Sequence, residues 1–184
     1  RIAEKSGIFS IAYHIAFYMK NDPDSVYYKV KESLKYIMKT LEDENINVQI
    51  RPEIGGKITQ FGSLQELIKL SQEIDNVYPC IDYAHYYARS LGKFNTKRDF
   101  DELHELLEKG LGKSILKNMH IQIAGIEYTD KGERNHTPLN QSKFNWKSAL
   151  ESMKEYNLRG VVIVESPIME KDALLLQKTF HNLK

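Results

Sequence analysis

VYPCIDYAH, residues 77–85, runs almost unbroken apolar into an aspartate and, three positions on, a histidine. A segment this short, rich in β-branched and aromatic residues, reads as a strand covered on both faces, as in a parallel sheet. Its polar residues then fall at its carboxyl end. Four further segments read the same way: FSIAYH (9–14), NVQIRPEI (47–54), NMHIQIAG (118–125) and GVVIVES (160–166). Helical patterns fill the intervals. Asp22 and Pro23 make an N-cap and first turn ahead of Val26, Val30, Leu34, Ile37 and Leu41, and Ser63 with Glu66 forms a capping box before Leu64, Leu67 and Ile68. Phe100, Leu103 and Leu107 mark another helix; Trp146, Leu150 and Met153 mark the next, closed by Gly160; the last covers about 170–181. Strand and helix alternate five times, which makes the class α/β with a parallel sheet and helices outside.

The composition narrows the chemistry. With 26 basic and 25 acidic residues the formal charge is +1, so no overall basic field advertises nucleic acid and any DNA contact needs a local patch. The single cysteine, Cys80, excludes an internal disulfide framework and an all-thiolate metal site; it suits a reducing cytoplasm and reads as a core residue. No apolar run approaches the ~18 residues that span a bilayer. Neither GxGxxG nor GxxxxGK[ST] occurs, which disfavours nucleotide-binding folds. A soluble, cytoplasmic, single-domain protein is the expectation.

Polar residues gather at the strand ends. His14 ends the first strand, Glu53 the second and Asp82 the third with His85 beyond it; His120 lies in the fourth and Glu165 ends the fifth. Active sites of parallel α/β folds assemble at these carboxyl ends. Histidine, aspartate and glutamate are the ligands that hold zinc or manganese without thiolates. Any one of them can equally be a hydrogen-bonded structural residue, but burying five such groups among apolar strands is costly unless they are paired or bind metal. His104 and His181 sit among charged helical neighbours and read as surface. Tyr83, Tyr86 and Tyr87 could stack on bases or form a half-buried helix start. The polar stretch 128–143, which holds His136, reads as a long βα loop.

The ordered series resembles a known family. CIDYAH is similar to the Cys-Ile-Asp-x-x-His signature of endonuclease IV, the zinc-dependent apurinic/apyrimidinic DNA endonucleases related to xylose isomerase-like barrels. AYHIAF stands where that family has His-Pro-Gly, RPEIGGK resembles its Glu-Asn-x-x-Gly segment, NMHIQIAG its Met-His-Leu-Asn segment, and IVESP its terminal Glu strand. The resemblance implies a TIM (β/α)8 barrel of which residues 1–184 supply the C-terminal part, about the last five βα units (strands 4–8). It implies zinc, two or three ions, with manganese as an alternative. His14 and Glu53 would hold the first metal, Glu53 bridging to a second completed by Asp82, His120 and Glu165, while His85 and His136 hold a third. Glu53 and Glu165 would be the catalytic carboxylates. The implied substrate is DNA containing abasic sites, cleaved on the 5′ side by a protein monomeric at full length.

Three departures stand out. The family's third metal takes an Asp two residues before the His, where this chain has Arg134, with Glu133 next to it as a substitute. His-Pro-Gly is His14-Ile15-Ala16, and the Asn after the bridging Glu is Ile54. A xylose isomerase-like sugar isomerase or epimerase, using one divalent metal on Glu53, Asp82, His120 and Glu165, therefore stays open. So does a non-catalytic DNA-binding descendant, which Arg134 encourages.

Overall fold

The computed structural model describes residues 1–183, and the chain divides into two compact units. The first comprises residues 1–55 and 59–80, the second 56–58 and 81–184.

In the first unit, a short helix α1 (Ile2–Lys5) precedes β1 (Ser10–Tyr13), and the long helix α2 (Pro23–Asp43) leads to β2 (Gln49–Pro52). Asp22 caps α2 by accepting the Ser25 N–H at 2.8 Å. Val26, Val30 and Leu34 bury its apolar stripe. β1 and β2 are parallel, with Tyr13 opposite Pro52. Helix α3 (Leu64–Glu73) starts with the expected box: Ser63 and Glu66 bond each other's backbone. Residues 77 and 80 then bridge in parallel to Ile50 and Glu53.

The second unit continues from β3 (Cys80–Asp82) into α4 (Tyr83–Arg89) and α5 (Lys97–Leu111), then β4 (Met119–Ile123), the strands β5 (Gly125–Thr129) and β6 (Gly132–Thr137), α6 (Trp146–Glu155), β7 (Gly160–Val164) and α7 (Glu170–Asn182). The sheet order is β3-β4-β7, with β4 and β7 parallel. Phe100, Leu103 and Leu107 of α5 and Ala149 and Leu150 of α6 are buried.

All five expected strands exist, and each helical interval holds its helix. Four details differ. The third strand stops at Asp82, because that residue caps a helix. Gly160 opens β7 instead of closing α6; its φ is +132° and a Cβ there would collide with the Met119 carbonyl, so the glycine permits a close strand approach. The polar stretch 128–143 is not an open loop: residues 128–137 form the end, turn and second strand of an antiparallel hairpin, β5–β6. Finally, β7 is an edge strand with Val162 and Ile163 exposed, and no sheet closes into a barrel among the described residues.

Candidate metal centre

Asp82 sits where β3 becomes α4. Its Oδ1 accepts the backbone N–H of His85 at 2.8 Å, an N-cap satisfying a first-turn donor. That cap sends His85 into the first turn of the helix and not into a loop beyond the strand. His85 Nδ1 lies 3.3 Å from Asp82 Oδ2, and both side chains are buried. Asp82 Oδ2 accepts no hydrogen bond among the described residues. A buried carboxylate oxygen in that state is costly unless a cation meets it.

His136 arrives from β6. Its ring stacks on His85 with centroids 5.4 Å apart, and its Nδ1 is 3.9 Å from Glu165 Oε2. Its buried Nε2 has no hydrogen-bond partner among the described residues. Asp82, His85 and His136 each offer one donor atom, and these atoms all lie within 4.8 Å of one another. The donor set suits zinc or manganese and leaves coordination positions for water.

The hairpin turns Arg134 to its outer face. Glu127 faces Asn135 and Tyr128 faces Glu133, so Arg134 is the extra residue of a β-bulge. Strand alternation resumes around it, which places Glu133 and His136 on one face and turns Arg134 out to exposed Glu127, 3.8 Å away. Glu133 Oε2 stands 3.5 Å from His85 Nε2, an ionic contact longer than a good hydrogen bond. The His85 ring beside it holds the Glu133 carboxyl down, at about 2, against the opposing effect of burial. Gly56 makes room for this contact: a Cβ there would lie 2.6 Å from Glu133 Oε2 and 2.8 Å from His85 Cδ2. The Glu133 N–H donates to the Gly56 carbonyl at 2.9 Å. Gly56 was not among the expected site residues, although its signal, a Gly pair directly after a strand in RPEIGGK, was visible.

Glu165 follows β7, and its Oε1 accepts from Gln122 Nε2 at 2.7 Å. His120 stands near the amino end of β4, not the carboxyl end, two residues behind Gln122 on the same face. It joins no group of three close donors among the described residues. Gln122 is a β4 side chain that reaches Glu165.

In the first unit, the parallel β1–β2 register continues one residue beyond each strand, bringing His14 Nε2 to 3.5 Å from Glu53 Oε1. Glu53 is buried and His14 is exposed.

Cys80 is fully buried, as expected of a core residue, and His181 is exposed. His104 corrects the surface reading: it is completely buried, because α5 turns it inward with Leu103 and Leu107 to meet Tyr83 and Ser152. Tyr83 and Tyr87 are buried in the helix start; Tyr86 stacks on Phe94 at 4.6 Å.

Parallel strands with helices between them, and carboxylate and imidazole groups that could hold a metal ion, define an α/β class; the chain belongs to the xylose isomerase-like TIM barrel family, with residues 1–183 matched. It is 43% identical over 174 residues to the uncharacterized protein MJ0133 of Methanocaldococcus jannaschii, covering 95% of this chain and 63% of that protein. Among solved structures it is similar to a D-tagatose 3-epimerase-like protein (TM-score 0.70, 19% identity, 97% of this chain and 63% of that one). It is also similar to the 3-keto-D-glucoside 4-epimerase of E. coli (TM-score 0.61, 15% identity, 97% and 65%). These structural likenesses show the fold. The chain spans just under two thirds of the length of each of these relatives. No helix among the described residues is long and apolar enough to cross a membrane.

Proposed function

We propose that this chain is part of a divalent-metal-dependent enzyme, with Asp82, His85 and His136 as ligands and Glu133 as a supporting carboxylate. One observation carries the reading: three donors converge, Asp82 and His85 buried and His136 half-buried, and neither Asp82 Oδ2 nor His136 Nε2 makes a hydrogen bond among the described residues. Glu165 joins through His136, and His14 with Glu53 is proposed as a separate donor pair of the first unit. A divalent ion held there lowers the pKa of its bound water and neutralises charge on reacting oxygens. Zinc fits the donor types; manganese is the alternative.

For the substrate, the preferred reading is phosphodiester hydrolysis on the 5′ side of abasic sites in DNA. The support is that His85 and His136 lie outside the set Glu53, Asp82, His120 and Glu165 that a single-metal sugar isomerase needs, so a donor group remains over. The second reading, isomerisation or epimerisation of a sugar, draws on Gln122. Its amide donates to Glu165 Oε1 and so fixes that carboxylate at the strand end.

Metal content after dialysis, together with nicking of an abasic duplex with and without chelator, separates them. Two or three ions and chelator-sensitive nicking support the nuclease. One ion, no nicking, and deuterium uptake into a keto sugar from D2O transfer the assignment to the isomerase. A protein that binds no divalent ion at any concentration tested overturns both.

A further inference from the structure

Behind His136 and Glu165, a single carboxylate oxygen joins the two chain segments that carry them. Asp172 lies in the first turn of α7 and is buried. Its Oδ2 accepts the backbone N–H of Leu139 at 2.8 Å and the hydroxyl of Ser166 at 2.6 Å. Leu139 follows His136 by three residues, and Ser166 follows Glu165 directly. The intervening segment has little slack, since a Cβ on Gly125 would collide with the carbonyls of Thr137 and Pro138. Ser166 Oγ in turn accepts the Ile168 N–H at 3.3 Å, fixing the turn after Glu165.

We infer that Asp172 is a positioning residue that sets the spacing of His136 and Glu165 by tying Leu139 and Ser166 to one oxygen. The inference rests on the metal reading above. A charge-assisted acceptor with two short donors is stiff, and a neutral acceptor of the same shape keeps its geometry at reduced strength. Loss of partners that orient ligands typically costs 10- to 100-fold in metal affinity.

The test titrates Co2+ into the protein and follows its visible absorption, with hydrogen exchange measured by mass spectrometry in parallel. Asp172→Ala is expected to weaken Co2+ binding by about 10- to 100-fold and to change the absorption envelope. Asp172→Asn, whose amide oxygen can accept both bonds, retains most of the affinity and the wild-type spectrum. Ser166→Ala, which removes one arm, falls between them. A folded Asp172→Ala protein with wild-type affinity and spectrum overturns the inference, as does Asp172→Asn binding as weakly as Asp172→Ala. If Asp172→Ala does not fold, Ser166→Ala and Asp172→Asn decide: weakening in the first but not the second supports the inference, and any other pattern overturns it. If wild-type protein binds no Co2+, the metal reading falls, and the tie is judged by exchange. Joint acceleration over 136–139 and 165–168 in Ser166→Ala then supports it, and acceleration of one segment alone overturns it.

Discussion

Two Asp-x-x-His pairs lie in the second unit, Asp82 with His85 and Asp101 with His104, and both histidines are buried. The pairs differ in what their polar atoms have left to do. At His104 nothing is left. Tyr83 Oη meets Nε2 at 2.6 Å, Ser152 Oγ meets Nδ1 at 2.9 Å, and the Ser152 hydroxyl donates to Asp101 Oδ1 at 2.5 Å. Because the serine hydrogen goes to Asp101, Nδ1 carries the ring proton and Nε2 accepts from Tyr83. Burial pushes the His104 pKa down to about 4, with Asp101 opposing, and pushes the Tyr83 phenol up. At Asp82 one oxygen caps a helix and the other has no hydrogen-bond partner, beside a His136 nitrogen in the same condition. Identical spacing thus yields a closed structural network in one place and spare ligating capacity in the other.

The sharpest way to break this contrast is Asp82→Ala. It should weaken Co2+ binding by about 100-fold or more, a direct ligand counting for at least as much as the partners that orient one. Calorimetric titration checks it, and unchanged affinity would erase the distinction between the pairs. The closed network should instead respond to pH. Above about 6.5, His104 is neutral folded and unfolded; as pH falls toward 4 the unfolded chain takes up the proton first, so stability is lost across that window. Urea unfolding at pH 7 and pH 4 should show wild type losing about 3 kcal/mol more than His104→Gln, from a shift of roughly 2.5 pKa units. Equal losses would mean the imidazole is not held neutral. Ser152→Ala should cost about 1–3 kcal/mol of stability by leaving buried partners unsatisfied, while Co2+ affinity stays at the wild-type value. Smallest of all, Arg134→Ala should change stability by no more than about 0.5 kcal/mol. A marked change in its metal affinity would show that the bulge does not turn this side chain away.

The five strands were legible as short, near-continuous apolar runs and the main helices by apolar residues at a period of 3.6, with caps such as Asp22 and Ser63 marking helix starts chemically. The hairpin was hidden, since GERNHT carries almost no apolar signal and its pairing comes from the backbone. For the site, the residue types at the strand ends were readable, but which of them meet was not. Asp82 is the last strand residue, as its apolar run implies, but the cap from its side chain to the His85 N–H, which aims the imidazole, has no mark in the sequence. His104 was misjudged because its neighbours Glu102 and Glu105 are charged, while the helix face it shares with Phe100, Leu103 and Leu107 points to the core. Gln122 escaped notice as an uncharged residue two places beyond the more conspicuous His120.

The bulge at Arg134 also bears on how this chain should be aligned with others. Matched column by column, Arg134 falls opposite the acid expected two places before His136, and the protein looks as if it has lost a ligand. A one-residue gap at Arg134 puts Glu133 in that column instead. A surplus residue in the bulge is thus equivalent to a one-residue insertion that leaves the facing carboxylate in phase with the imidazole. Scoring only ungapped positions therefore overlooks the carboxylate that shares a hairpin face with His136.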